Sequence, residues 1–152
     1  MSENMTAEMA LLGAVLTDPS ILEQVPWFRS SYFALAAHAT IFDAIDRTLR
    51  ERDGNMDLVL LVEELGETGK QLDAVGGPGY LVHLVDATPS VQAAPHYARI
   101  VFEHATRRHL SLLGHQMVFE AKGDIGAAVI NMVNGLREVQ GRLAAYQKAV
   151  EK

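Results

Sequence analysis

Two groups of residues have types suited to chemistry: three histidines, His104, His109 and His115, and a glycine-flanked lysine, Gly66-Glu67-Thr68-Gly69-Lys70-Gln71. The histidines suggest a metal site. Ligands on one helix reach a common ion only when they stand three or four residues apart. These stand five and six apart, and His104 and His115, though nearly on one face, are separated by roughly 16 Å at helical rise. The spacing therefore predicts no metal there. The lysine suggests a phosphate-binding loop, which requires four residues between its glycines and a Ser or Thr after the lysine to hold magnesium. Here two residues intervene, glutamine follows, and no buried strand leads in. The segment reads as a helix C-cap and turn. Gly76-Gly77-Pro78-Gly79 has no basic residue beside it and reads as a turn as well. No Ser-His-Asp or paired-carboxylate arrangement emerges from spacing, so no catalytic residue and no cofactor is expected.

Composition points the same way. With 152 residues, 49% of them hydrophobic and 21% charged, the chain fits a globular domain that buries a real core. It contains no cysteine, hence no disulfide framework and no thiol nucleophile. Met1 to Met9 is polar and acidic without a basic n-region, unlike a signal peptide. No apolar run is long enough to span a bilayer. A net charge of −6 opposes sequence-independent binding to phosphate backbones. These features predict a cytoplasmic protein with no membrane association and no tight direct DNA binding.

The elements that position these residues read as helices throughout. Ala7–Leu16 carries Leu11, Leu12, Val15 and Leu16 at helical spacing, and Asp18-Pro19-Ser20 ends it and opens a short helix, Ile21–Val25. Trp27, Phe28, Tyr32 and Phe33 follow in a loop-like stretch. Such a cluster can stack bases, but only Arg29 accompanies it, which favours the core. Ala36–Arg52 presents Ile41, Phe42, Ile45 and Leu49 on one face, and Asp57 is placed to cap a helix over Leu58–Leu65. A further short helix covers about Tyr80 to Asp86. No stretch keeps strict alternation, so no strand is predicted.

The C-terminal third carries the strongest periodicity. Val129, Leu136, Leu143 and Val150 recur every seven residues, with Met132, Val139 and Tyr146 between them. Such a repeat forms a narrow apolar seam suited to knobs-into-holes packing. A helix over about Pro95 to Ala121 precedes it across Lys122-Gly123-Asp124, which predicts a helical hairpin. Taken alone, the hairpin is either an ordinary intramolecular pair or an interaction device. On the first hairpin helix Ala98, Ala105, Leu112 and Phe119 hold one seam position, and Leu110, Leu113 and Met117 form a second patch on roughly the opposite side. A helix apolar on two sides packs twice, and the second patch is covered either by the globular part or by another chain. The expectation adopted is that the 129–150 seam zips onto the chain's own Ala98–Phe119 face while the Leu113 and Met117 patch makes a dimer.

Six segments in register carry a family resemblance. They are Ala7-Glu8-x-x-Leu11-Leu12-Gly13, Ala37-His38-x-x-Ile41-Phe42-x-Ala44-Ile45, Met56-Asp57-Leu58-Val59, Val75-Gly76-Gly77-x-x-Tyr80-Leu81, Thr88-Pro89-Ser90 and Tyr97-Ala98-x-Ile100-Val101. Together, from about Ala7 to Leu110, they resemble the N-terminal domain of DnaB-type replicative helicases. Met9 stands where that family commonly has glutamine, Ala93-Ala94-Pro95 replaces its asparagine-containing helix start, and the match fades beyond Gly123. The resemblance implies an all-α fold, a small globular bundle over 1–92 and a long antiparallel hairpin over 93–152. It also implies self-association through hairpins, as a dimer or a trimer of dimers, and docking of primase or a helicase loader. The family's RecA-like motor lies downstream of this domain, and no part of it is found up to Lys152. The chain is thus expected to be either an excised helicase domain, whose partner is that motor, or a free-standing homologue. The function expected is a non-catalytic replisome module, with a stand-alone regulator of a host helicase collar as the alternative. The expected protein interface comprises Arg107, Arg108, Leu110, Leu113, Met117, Met132, Leu136, Val139, Leu143 and Tyr146.

Overall fold

Ser2 sets the first helix by accepting a hydrogen bond from the Met5 amide at 3.3 Å, so α1 runs Glu3–Thr17 and starts one turn ahead of its apolar stretch. The computed structural model describes residues 2–67 and 70–151, and among these it is all α, with no strand. Asp18 ends α1 and organises the next turn, its Oδ1 accepting from both the amide and the hydroxyl of Ser20 before α2 (Ile21–Gln24). A single 3-10 turn over Ser30–Tyr32 leads to α3 (Ala36–Glu51). Asp53 and Gly54, both at positive φ, reverse the chain. Asp57 Oδ1 accepts from the Leu60 amide at 2.8 Å and caps α4 (Leu58–Glu67).

The glycine-rich region departs from the sequence expectation. Helix α4 continues through Gly66 to Glu67 rather than stopping there. Thr68 and Gly69 lie outside the described residues, and Lys70 at φ +53° opens the short α5 (Gln71–Ala74). Gly76 takes φ +100°, after which α6 runs Gly77–Asp86. The Gly-Pro-Gly segment expected as a turn is therefore the first turn of a helix. Proline fits that place because its missing N–H is not needed in a first turn.

Two compact units result, Met1–Phe102 and Glu103–Lys152. In the first, α1 lies at the centre, with Leu11, Leu12, Ala14 and Val15 wholly buried. It crosses α6 at Gly13, where a Cβ would come within 2.0 Å of the Leu84 carbonyl oxygen and 1.9 Å of Thr88 Oγ1. Only glycine permits that approach. Trp27, Phe28, Tyr32 and Phe33 are buried and meet one another, Phe42 and Phe102 in mostly edge-to-face pairs at 5.2–5.9 Å. The cluster is core, as its lack of interleaved basic residues predicts. A 3-10 turn over Val91–Ala93 leads into α7 (Ala94–Glu120), whose start supplies the buried Ala94, Ala98, Val101 and Phe102 to this unit. The second unit holds the rest of α7 and α8 (Ile125–Val150).

Candidate interaction surface of the hairpin

Asp124 builds the hairpin turn. Its Oδ1 accepts from the Ala127 amide at 2.7 Å and caps α8, while the Lys122 and Gly123 amides close the end of α7 on the Phe119 and Glu120 carbonyls. Glu120 ties the two helices, accepting from Gln116 at 2.9 Å and from Asn131 on α8 at 3.1 Å. Further along, Leu113 packs where Gly135 has no side chain: a Cβ at 135 would lie 2.6 Å from Leu113 Cδ2.

This contact fixes which faces meet. The less exposed positions of α8 are Ala128, Met132, Gly135, Val139, Arg142, Tyr146 and Ala149, an alternation of four and three residues. Val139 is 5% exposed, whereas Leu136 is 43% and Val129 53% exposed. The expected seam is thus corrected by one residue. Its intermediate members Met132, Val139 and Tyr146 turn inward, but Ala128, Gly135, Arg142 and Ala149 take the other inward position and leave Val129, Leu136, Leu143 and Val150 outside. Gly135 admits the Leu113 side chain of α7, which the aliphatic row would hold away. The expected partner row on α7 divides: Ala98 and Ala105 are buried, but Leu112 and Phe119 are exposed, Phe119 by 77%, while His109, Leu113 and Met117 are more covered.

The outward rows share one side of the hairpin. Leu110 and Gly114 stand one residue beyond the inward His109 and Leu113. Val129 and Leu136 stand one residue beyond the inward Ala128 and Gly135. A one-residue step turns a helix by about 100°, and because the helices are antiparallel the same step on both leads to the same side. Leu110 on α7 and Val129, Leu136, Leu143 and Val150 on α8 therefore form one broad apolar face, with Arg107 and Arg108 exposed on α7. Of the residues expected at an interface, Leu110, Leu136 and Leu143 lie on this face. Leu113, Met132, Val139 and Tyr146 lie toward the hairpin's own contact, and Met117 stands at its border. Leu112, Val118, Phe119, Ile125, Ile130 and Val133, which the sequence reading did not single out for an interface, are exposed too. A concavity of about 470 Å³ at the tip is lined by Phe119, Glu120, Lys122, Gly123, Asp124, Ala127, Ala128 and Asn131.

Spacing also missed a buried polar chain in the first unit. Glu8 on α1 and His38 on α3 are both wholly buried, with Glu8 Oε2 2.6 Å from His38 Nδ1 and His38 Nε2 2.7 Å from the Tyr80 hydroxyl on α6. The Ala34 amide and the Asn4 side chain donate to Glu8 Oε1. Burial alone pushes the Glu8 carboxyl up. The hydrogen bonds from His38 and the Ala34 and Leu35 amides, with the His38 charge, outweigh it and hold the group below the ordinary glutamate range. Burial, with the Glu8 charge, raises the Tyr80 hydroxyl. The chain fastens three helices together in the interior. Its members stand in three of the six family segments, which was the only signal of it in the sequence.

The histidines of α7 do not converge. His115 Nδ1 lies 2.7 Å from the Ser111 carbonyl, and His109 Nε2 is buried without a hydrogen-bond partner. Among the described residues no group of three metal-ligating side chains could hold an ion, and no helix is long and apolar enough to cross a membrane.

Comparison with known proteins places this geometry. The family model of the DnaB-like helicase N terminal domain matches residues 1–103. The replicative DNA helicase DnaB of Treponema pallidum is 36% identical over 150 residues, a match covering 98% of this chain and 34% of that protein. The chain thus spans about a third of that relative's length. The crystal structure of the N-terminal domain of DnaB helicase from Mycobacterium tuberculosis superposes with a TM-score of 0.79 at 29% identity, covering 88% of this chain and 96% of that one. A DnaB-like replicative helicase, described with its interactions with primase, shares the fold at a TM-score of 0.71 and 22% identity over 90% of this chain and 30% of its own.

Proposed function

The chain belongs to the DnaB-like helicase N-terminal domain family, and from that membership we propose that it acts as a non-catalytic interaction and oligomerisation module of a replisome. It self-associates through the hairpin and docks primase or a helicase loader. One observation carries the reading: a helical hairpin that leaves Leu110, Val129, Leu136, Leu143 and Val150 on one exposed face. A contiguous apolar face of that kind marks an interaction site, and two such faces bury each other in a four-helix arrangement. Primase as a partner is supported by the fold relative described with its interactions with primase.

The test is sedimentation of the parent chain and of Leu110→Glu with Leu136→Glu. The parent should form a concentration-dependent dimer or higher assembly. The double variant should sediment as a monomer and keep its helical circular dichroism, since both side chains point outward. A parent that stays monomeric at tens of micromolar would refute the self-association reading. Titration with the primase of the same replisome tests docking separately, and no change in sedimentation would exclude that partner.

A further inference from the structure

Asn134-Gly135 on α8 is the one Asn-Gly pair in the sequence; Asn4, Asn55 and Asn131 are each followed by methionine. Gly135 has no Cβ to hinder its backbone nitrogen, so that nitrogen can attack the Asn134 side-chain carbonyl carbon. The new C–N bond closes a five-membered imide. The bond from that carbon to the side-chain nitrogen breaks, and the departing nitrogen takes the Gly135 amide proton and leaves as ammonia. Water then opens the ring at either carbonyl, giving aspartate or isoaspartate. Asn134 is exposed. Standing one residue before the inward Gly135, it lies on the side away from Leu136 and the broad apolar face, so water reaches it whether or not that face is covered.

The closed hairpin forbids the first step. Ring closure needs the Asn134 Cβ and the Gly135 nitrogen nearly eclipsed about the Cα–C bond, far from the helical ψ of about −42°. Inside α8 the Gly135 N–H is also engaged by the Asn131 carbonyl one turn back. Helix α8 is weak by itself, since Gly126, Gly135 and Gly141 are each unfavourable relative to alanine. What holds it here is Leu113 of α7, seated where Gly135 has no side chain. The same glycine thus makes the pair reactive and receives the side chain that keeps it helical. We infer that Asn134 is a self-modification site gated by the hairpin, silent while α8 is closed on α7 and converted when α8 opens locally. The mark is irreversible. Isoaspartate adds a methylene to the main chain within α8 and breaks the hydrogen-bond register that sets Gly135 against Leu113, so a converted hairpin does not close on the same contact.

The test is incubation of the full chain at mildly alkaline pH, with and without urea, followed by tryptic mapping of Gly123–Arg137. The folded parent should convert at least roughly tenfold more slowly than the parent in urea, because the rate follows the fraction opened. Leu113→Ala empties the seat and should raise the folded rate severalfold, up to the urea rate if the hairpin does not form at all, while leaving the urea rate unchanged. Gly135→Ala should slow conversion in urea, which assigns the nucleophile. Asp53-Gly54 is an internal standard. It lies in an exposed turn of the first unit, where the Gly54 amide donates to the Leu49 carbonyl at 2.7 Å, and it forms the same imide with loss of water. Its isoaspartate should not respond to Leu113→Ala. The purified isoaspartyl-134 chain should show less helical circular dichroism than the parent, and a parental spectrum would remove the block on re-closure. Equal folded and urea rates in the parent, or a folded rate untouched by Leu113→Ala, would overturn the gate. A parallel rise at Asp53 would overturn it too, by placing the opening in the whole molecule rather than in the hairpin.

Discussion

Glu8 and Gly13 show how single side chains hold the first unit together, and each yields a measurement. The Glu8 carboxyl lies below its ordinary range because His38 and two amides stabilise its charged form. The folded state therefore binds its proton less readily than the unfolded chain. The associated stability is complete above the unfolded glutamate range and is lost as pH falls through the lower folded value. Glu8→Gln should lose roughly 1–3 kcal/mol near neutrality, the typical cost of impairing a buried hydrogen-bonded group. It should also flatten the acid limb of urea midpoints taken from pH 7 to 3, and an unchanged slope would show that Glu8 does not govern acid stability. Gly13→Ala forces a methyl against the α6 backbone. We expect a loss of about 3 kcal/mol or more, at the upper end of overpacking costs, read as a drop in the urea midpoint. Neither effect is visible from residue types alone. Glu8 and Gly13 occur in the Ala7–Gly13 segment as family letters, but only α3 and α6 folding against α1 gives them partners.

At the scale of elements the hairpin separates two glycines that the sequence treats alike. Gly141 has open space around its missing Cβ, while Gly135 is filled by Leu113. Gly141→Ala should stabilise α8 by about 0.5–1 kcal/mol through helix propensity. Gly135→Ala should forfeit that gain, because Leu113 must move aside. Thermal unfolding followed by helical circular dichroism compares them, and equal shifts would argue against the Leu113–Gly135 packing. The same contact explains the displaced seam. A heptad of valines and leucines is legible in sequence as an apolar stripe, yet periodicity cannot say whether that stripe faces its own hairpin or the outside. Gly135, one position before Leu136, decides it by admitting Leu113 of α7.

Charge is divided unevenly across the whole molecule. Residues 1–102 contain six basic and fourteen acidic side chains, residues 103–152 seven and five. The first unit thus repels nucleic acid, and the hairpin's slight excess of positive charge is spread along two helices rather than gathered in a groove. Buried in the core, the aromatic cluster offers no platform for stacking bases. Affinity for single-stranded DNA at physiological salt should be no tighter than roughly 10⁻⁶ M, the range of non-specific binders. Fluorescence anisotropy with a labelled oligonucleotide measures it, and nanomolar, salt-resistant binding would contradict the module reading.

What the sequence by itself determined is local and cumulative. Apolar spacing, the Asp57 cap and the Lys122-Gly123-Asp124 break establish helices and a hairpin, because a helix is built from contacts within a few residues. The six ordered segments establish the family, because their separations are preserved along the chain. Tertiary structure alone decided the rest. It chose the helix start at Gly77, the burial of Glu8 and His38 in one chain of hydrogen bonds with the half-buried Tyr80, and the inward face of α8. Each of these depends on a partner far away in sequence: His38 for Glu8, Leu113 for Gly135. Periodicity records only that a face is apolar. Which neighbour covers it is settled by how closely two backbones can approach, and that is a property of the pair.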